Sequence, residues 1–284
     1  MPRRRRVDPR HTGAVAAGII WFSALATLAI LTFIIVYVLW QGLPHLSFRF
    51  LVGAPTDMGR AGGIGPMVIS TALLSLLAIL VATPVGVATA IYLTEYTKEG
   101  WLTRIIRFGT EALAGVPSII FGLFGFVFFV IYLGLGWSVL SGSLTLAIMI
   151  LPTIVRTAEE AILTVPRSYR EVSFSLGATR WQMVTTVVIP GALPGIITGV
   201  VLGLGRTVGE TAAVILTAGA ALHVPKSLFS PARSMAVHFY ILAREGISDP
   251  MAWGTGAVLL IVVLVINVVI SHSVVALVHH RTAR

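Results

Sequence analysis

Long apolar stretches alternate with short polar connections along the chain. Six of the stretches approach the roughly 20 residues that an α-helix needs to cross a bilayer. They lie near residues 14–40, 66–94, 111–133, 139–158, 191–217 and 254–278. The pattern therefore predicts an all-α, polytopic integral membrane protein. Its six transmembrane helices would form one domain over residues 14–280, between tails at 1–13 and 281–284.

Composition supports the same class. The chain of 284 residues is 56% hydrophobic and 11% charged, and its mean hydropathy is +0.94. Soluble domains carry about 25% charged residues, so this chain has too few charges to cover a soluble surface. It contains no cysteine, which excludes disulfides, thiolate metal sites and cysteine nucleophiles.

Lysine and arginine are distributed unevenly between the connections. Thirteen of the twenty fall on the side that holds both termini: Arg3, Arg4, Arg5, Arg6, Arg10, Lys98, Arg104, Arg107, Arg167, Arg170, Arg180, Arg281 and Arg284. Five fall on the other side: Arg49, Arg60, Lys226, Arg233 and Arg244. Because basic residues accumulate in cytoplasmic connections, we expect a multi-pass protein of the cell membrane with both termini in the cytoplasm. This topology signal accounts for the net charge of +9, so we expect no nucleic-acid partner.

Several kinds of chemistry lack the residues that they need. Lys226-Ser227 could end a phosphate-binding P-loop, but Ala220 and Pro225 stand where that motif requires glycine. The seven histidines form no close ligand cluster, and no serine lies in Gly-x-Ser-x-Gly. We therefore expect a non-catalytic chain without a metal or cofactor, which does not itself hydrolyse ATP.

The connection at 159–190 is the least apolar internal region. Glu171 is followed six residues later by Gly177 and nineteen residues later by Pro190. This spacing predicts a short helix, a break at glycine, a second amphipathic helix, and a proline at the start of the next span. Such a unit can present a knob to another protein, or it can merely connect two spans. The residues alone leave both interpretations open.

Two charges lie inside one of the most apolar regions, in GLGRTVGETA at residues 203–212. On one helix Arg206 and Glu210 would share a face at i and i+4. A charge at the bilayer centre costs about 2.5 kcal/mol or more, so the pair is either a structural ion pair or a functional site. Arg156, at the end of the fourth span, favours the second interpretation. Two guanidinium groups suit a tetrahedral oxyanion, and Glu210 would hold Arg206 when no anion is bound.

The loop resembles a known pattern. Residues 171–190, EVSFSLGATRWQMVTTVVIP, are similar to the EAA loop of ATP-binding-cassette (ABC) importer permeases. One departure is that Val172 and Ser173 replace the two alanines after the glutamate. The segments AGVPSIIFGLFG, VRTAEEAILTVP and GLGRTVGETAAVILTAG extend the resemblance, over roughly residues 60–220, to PstA-type permeases of phosphate importers.

This resemblance implies a type I ABC importer permease with MetI-like architecture, which imports inorganic phosphate. The implied partners are a sister permease, a cytoplasmic ATP-binding subunit dimer and an extracytoplasmic phosphate-binding protein, besides phosphate and membrane lipid. The loop would dock on the ATP-binding subunit through Glu171, Gly177, Ala178, Thr179 and Pro190. The substrate pathway would include Arg156, Arg206 and Glu210.

Two alternatives remain open from the sequence. One is a permease for another oxyanion such as sulfate or molybdate, because the same arginines would suit these anions. The other is an ion-coupled secondary transporter, which would need no ATP-binding partner.

Overall fold

Helices make up most of the part of the chain that this computed structural model describes, residues 9–98 and 100–282. Their bounds are α1 Pro9–Gly42, α2 Phe48–Val52, α3 Gly65–Ile91, α4 Trp101–Ala114, α5 Ser118–Gly125, α6 Val139–Thr164, α7 Arg167–Ser175, α8 Arg180–Met183, α9 Ile189–Val208, α10 Ala212–Thr217, α11 Met235–Arg244 and α12 Asp249–Thr282. Turns of π-helix extend α3, α5 and α8, at Tyr92–Tyr96, Phe126–Tyr132 and Val184–Val188. A small antiparallel hairpin pairs β1 (Pro55–Thr56) with β2 (Ala61–Gly62).

The predicted all-α membrane class is confirmed. Within the described ranges, five helical segments are long and apolar enough to cross a bilayer: Ala16–His45, Gly65–Tyr96, Val139–Thr164, Arg180–Val208 and Asp249–Val268. A sixth span results if the pair Trp101–Ala114 and Ser118–Tyr132 counts as one. α1 begins at Pro9, inside the predicted tail 1–13, and the tail residues 1–8 and 283–284 lie outside the described residues.

The predicted third span, 111–133, is not one straight helix. α4 ends at Ala114, and the segment beginning at Ser118 is bent from it by 104°. Pro117 stands at the break, where it lacks an N–H and disfavours helical geometry in the preceding residue. α4 is instead an amphipathic helix whose exposed face carries Trp101 and Phe108. The apolar run that predicted the span therefore begins only after the proline.

The predicted fifth span, 191–217, is wrong at both ends. The helix runs without a break from Arg180 to Val208, and α10 is a separate helix. Pro190 lies at the start of α9, directly after the π-helical turn Val184–Val188. A π turn changes the hydrogen-bond spacing, so a residue without an N–H can follow it inside a continuous helix. Pro190 thus does not separate the predicted loop 159–190 from the membrane helix.

Close packing of α3, α6 and α9 forms the centre of the bundle. Four glycines at every fourth position of α9, Gly191, Gly195, Gly199 and Gly203, line the face that meets α6. A Cβ atom at Gly195 would lie 2.5 Å from the Cβ of Ala161, and one at Gly199 would overlap the side chain of Thr157. Small residues at this spacing let two backbones approach closely, and the resulting van der Waals packing contributes to helix association in lipid.

α11 covers the end of the bundle at which α3 begins. The N–H of Met235 donates to Oγ1 of Thr71 on α3, at 2.8 Å. Phe50 of α2 and Leu242 of α11 belong to one buried apolar cluster with Ile64 and neighbouring residues. The hairpin lies against α11 as well, because Gly59 in its turn approaches the ring of His238.

A buried polar pair anchors α11. Nε of Arg233 donates to the carbonyl of Ala220 at 2.9 Å, and Nη1 lies 3.3 Å from Nδ1 of His238. Because arginine can only donate, Nδ1 accepts and the neutral ring carries its proton on Nε2. Burial lowers the pKa of His238 to about 4, and the charge of Arg233 contributes to this shift. Burial also lowers the pKa of Arg233.

Acid should therefore loosen the packing of α11. The pKa of His238 is about 6.5 in the unfolded chain and about 4 in the folded one, so its contribution to stability is present above pH 6.5 and is lost as the pH falls toward 4. The loss is ~2 kcal/mol at pH 5. We expect the thermal midpoint of the detergent-solubilised protein to fall less between pH 7.5 and pH 5 in His238→Gln than in the wild type. His223→Gln, at an exposed histidine, should behave like the wild type; an equal fall in all three proteins would contradict the prediction.

Candidate functional site

Arg206 and Glu210 do not form the ion pair that the sequence predicts. α9 ends at Val208, so Glu210 lies in the break before α10 and not on a shared helix face. One carboxylate oxygen of Glu210 accepts the N–H of Ala213 at 3.2 Å. Among the described residues, no salt bridge joins the two side chains.

Each charge is instead stabilised by its own helix end. Arg206 lies in the last turn of α9, where a cation is favoured, and Glu210 precedes the first turn of α10, where an anion is favoured. The prediction failed because the helix breaks at Gly209, which removes the i, i+4 geometry. Glu210 is therefore not a built-in substitute for an anion at Arg206 in this structure.

The side chain of Arg206 is exposed on the surface of the chain. It lies on the same face of α9 as the exposed Leu202, away from the face of the glycines that pack on α6. No hydrogen bond or ion pair engages its guanidinium group within the part of the chain that the structure describes. The group therefore has its full set of N–H donors free for an external anion or for a neighbouring subunit.

Arg156 lies in a different environment, a cleft of about 510 Å³ between α4 and α6. The charged residues that line this cleft are Arg107, Glu111, Arg156, Glu159 and Glu160. Nε of Arg156 lies 3.3 Å from Oε1 of Glu160, and both side chains are about two thirds exposed, at 65% and 67%. Nη2 of Arg107 lies 2.6 Å from Oε1 of Glu159. Two arginines against three glutamates give the cleft a net negative charge.

The structure does not bring Arg206 into this cleft. α6 and α9 pack so that Gly199 meets Thr157 and Gly203 meets Ile150, which places Arg156 level with the region of Gly199. Arg206 is seven residues further along α9, or about 10 Å at 1.5 Å per residue. That the two arginines face one passage stays a prediction, and it requires Arg156 to leave Glu160.

The segment between α7 and α8 has a defined local geometry. Gly177 has a φ of +81°, in the left-handed region that favours glycine. Its N–H donates to the carbonyl of Phe174, and the N–H of Ala178 donates to the carbonyl of Ser173. These two bonds form a Schellman motif, which closes the end of α7. The predicted break at Gly177 thus has a specific backbone cause.

Thr179 begins α8 with a capping box. Its Oγ1 accepts the N–H of Gln182, and Oε1 of Gln182 accepts the N–H of Thr179 at 2.8 Å. The Schellman motif and the capping box follow each other directly, so the turn between α7 and α8 is fixed at both ends. Gly177, Ala178 and Thr179 therefore build the corner of a compact two-helix unit.

The exposed surface of this unit includes three large apolar side chains. We call it the α7–α8 surface, and it consists of the exposed side chains of Val172, Leu176 and Trp181, with Leu176 83% exposed. Glu171 is exposed beside it and lines a cleft of about 360 Å³ with Arg167 and Arg170. An exposed apolar patch with a charged edge is typical of a protein-docking site.

An ion pair that the sequence analysis missed holds the unit in place. Nη2 of Arg170 lies 2.7 Å from Oε1 of Glu95, and the two side chains are only 16% and 8% exposed. Breaking a buried pair by removing one partner costs about 3–5 kcal/mol. Glu95 follows the second apolar stretch, at the negative end of a helix where a carboxylate is unfavourable. A carboxylate at that position in the sequence indicates that a cation from another part of the fold must lie beside it.

Known proteins resemble this chain over most of its length. The family model described as the binding-protein-dependent transport system inner membrane component matches residues 82–283. A probable ABC transporter permease protein of Bacillus subtilis, YqgI, is 34% identical over 277 residues, which cover 92% of this chain and 94% of the relative. The phosphate transport system permease protein PstA of Xylella fastidiosa (strain Temecula1) is 32% identical and covers 80% of each chain.

Solved structures show the same fold. A chain of a bacterial alginate ABC transporter, in complex with an alginate pentasaccharide-bound periplasmic protein, superposes with a TM-score of 0.63 at 19% identity, over 92% of each chain. A chain of the MetNI methionine ABC transporter, in an inward-facing conformation, gives a TM-score of 0.60 at 21% identity and covers 73% of this chain and 93% of its own. The MetI-like architecture that the sequence resemblance implied is therefore confirmed.

The family match places the chain among membrane subunits that carry no catalytic site of their own. Such subunits associate with an ATP-binding subunit and a substrate-binding protein. Since the family model covers most of the chain and relatives of at least 30% identity cover it nearly end to end, the chain belongs to the inner-membrane permease family of binding-protein-dependent ABC transport systems.

Proposed function

We propose that this chain is a permease subunit of an ATP-driven importer of inorganic phosphate and forms half of the translocation pathway. The observation that carries the proposal is the resemblance to phosphate permeases over nearly the whole chain. A sister permease would supply the other half of the pathway. The proposed orientation has both termini and the α7–α8 unit in the cytoplasm, in agreement with the distribution of basic residues.

Arg206 is the proposed contact for phosphate in the pathway. Its guanidinium group is exposed, has no carboxylate partner among the described residues, and lies at a helix break beside Gly209. A planar fork of N–H donors matches the oxygens of a tetrahedral anion. Arg156 is the proposed second contact, because its exposed pair with Glu160 is of the weak kind that an anion can displace. Glu210 would fix the start of α10 next to the site.

The α7–α8 surface is the proposed docking site for a cytoplasmic dimer of ATP-binding subunits. Leu176 and Trp181 would enter a groove of that partner, and Glu171 would lie at the edge of the contact. An extracytoplasmic phosphate-binding protein would deliver the anion at the other end of the bundle. This arrangement agrees with the absence of a P-loop from the chain.

The alternatives differ in what they predict. A permease for sulfate or molybdate would use the same guanidinium chemistry, so only competition between the anions separates it from a phosphate permease. An ion-coupled secondary transporter is disfavoured by the membership in a family of ABC permeases. It would import its substrate without ATP.

Substitution of Arg206 tests the proposed phosphate contact. Arg206→Gln keeps a polar side chain but shortens it and removes the charge, so we expect phosphate uptake to fall at least tenfold while the complex still assembles. Arg60→Gln, at an exposed arginine in the hairpin region, is the matched control and should stay within twofold of the wild type. Uptake of radiolabelled phosphate by cells that carry each variant is the measurement. Normal uptake in Arg206→Gln would remove this residue from the pathway.

Substitution of Gly177 tests the docking site through its backbone. No neighbouring atom lies within 4 Å of a Cβ added at Gly177, so Gly177→Ala acts through its positive φ, at a cost of about 1–2 kcal/mol. We expect a five- to thirtyfold loss of affinity for the ATP-binding subunit, measured with purified proteins. Gly134→Ala is a matched control, because Gly134 also has a positive φ of +66° and open space around it. Equal affinities of the two variants would exclude the α7–α8 unit as the docking site.

A further inference from the structure

Glu95 lies where the α7–α8 unit meets the membrane bundle. Its carboxylate accepts from Nε and Nη2 of Arg170 on α7, at 3.0 Å and 2.7 Å. Its main-chain carbonyl accepts from Nη1 of Arg180, the first residue of α8, at 2.9 Å. We propose that Glu95 is a positioning residue: the joint through which displacement of the α7–α8 unit moves α3. This inference rests on the proposed function, in which that unit docks on the ATP-binding subunit.

The joint is electrostatic in origin. Glu95 lies in the π-helical turn Tyr92–Tyr96, at the end of α3 where unpaired carbonyls already carry partial negative charge. The hydroxyl groups of Thr94 and Thr97 donate to nearby carbonyls of the same helix end, but they supply no positive charge. The two arginines supply it, so α7 and α8 contribute to the stability of this end of α3.

Arg170 also holds the end of α6. Its Nη2 donates to the carbonyl of Ile162 at 3.0 Å, and its Nη1 donates to the carbonyl of Val165. One guanidinium group therefore joins the ends of α3 and α6 to α7. Because α3 and α6 share the most extensive helix contact of the bundle, they would move together when Arg170 moves.

The α7–α8 unit is connected to two different membrane helices, α9 and α3. α8 continues through a π turn into α9, so a push on α8 reaches α9 along one continuous helix. Glu95 is 75 residues from Arg170 in sequence, and a displacement of α7 reaches α3 through the contact between these two side chains. The ion pair of Arg170 and Glu95 is largely buried, so water competes less for it than for the exposed pair of Arg156 and Glu160.

The test uses the complete complex of this permease with its partner permease, ATP-binding subunits and binding protein, reconstituted in liposomes. Glu95→Gln removes the charge with almost no change of shape. We expect normal assembly, ATP hydrolysis that the binding protein no longer stimulates, and at least a tenfold drop in phosphate imported per ATP hydrolysed. Glu245→Gln, at an exposed glutamate after α11, is the matched control and should keep the wild-type ratio within twofold.

A second variant separates a joint from a merely structural pair. Arg170→Lys keeps a positive charge near Glu95 but loses the fork that also reaches Ile162 and Val165, so we expect an intermediate ratio of import to hydrolysis. A wild-type ratio in Glu95→Gln would overturn the inference. Loss of the ATP-binding subunits from that complex would overturn it too, because Glu95 would then serve docking. Stimulation of ATP hydrolysis by the binding protein does not depend on which anion is carried, so it tests the joint even if phosphate is not the substrate.

Discussion

The free-energy cost of removing a charge from water decides where the arginines and glutamates of this chain lie. Inside a low-dielectric bundle a charge needs a partner, a helix end or access to water. Arg170 and Glu95 satisfy this requirement as a buried pair, whereas Arg206 and Glu210 satisfy it separately at the ends of α9 and α10. The same constraint leaves Arg206 exposed and without a carboxylate partner among the described residues, which suits a temporary contact with an anion.

Close helix packing supplies the rigid frame for these charges. The four glycines of α9 allow its backbone to approach α6, and α6 in turn packs along α3. The hydrophobic effect contributes little between helices in lipid, so contact at short distance has to stabilise the bundle. Close-packed interiors transmit strain, so a displacement of one helix is passed to the helices that pack on it. The contact between the α7–α8 unit and α3 therefore determines how a displacement of that unit is divided among the membrane helices.

Much of the fold follows from the pattern of apolar residues, because a span needs a fixed length of apolar chain. The helix break at Gly177 was also predictable, since its spacing and its positive φ agree. The break at Gly209 was not predicted, because it lies within an apolar run that is typical of one continuous span. At Pro117 a proline within a span favours a kink, but the bend of 104° is sharper than one span over 111–133 allows. At Pro190 the opposite error occurred, because a helix start was predicted and the helix continues through this residue. The preceding π turn accommodates the missing N–H of the proline.

The candidate site was predictable in part. Sequence spacing identified Arg206, but the pairing with Glu210 required a helix that ends two residues too early. The contact of Arg170 with Glu95 joins positions 75 residues apart, so no local pattern could have shown it. Local rules describe turns and caps well, and they cannot place two distant elements side by side.

The central claim is that this chain conducts phosphate at the expense of ATP hydrolysed by a partner. Uptake of radiolabelled phosphate into liposomes that contain the complete complex, with ATP supplied on the side of the ATP-binding subunits, tests it most directly. We predict accumulation that requires ATP and that a hundredfold excess of sulfate or molybdate does not reduce by more than about twofold. This limit requires about a hundredfold preference for phosphate, which corresponds to ~2.8 kcal/mol. Uptake without ATP, or uptake that sulfate suppresses as well as unlabelled phosphate does, would contradict the claim.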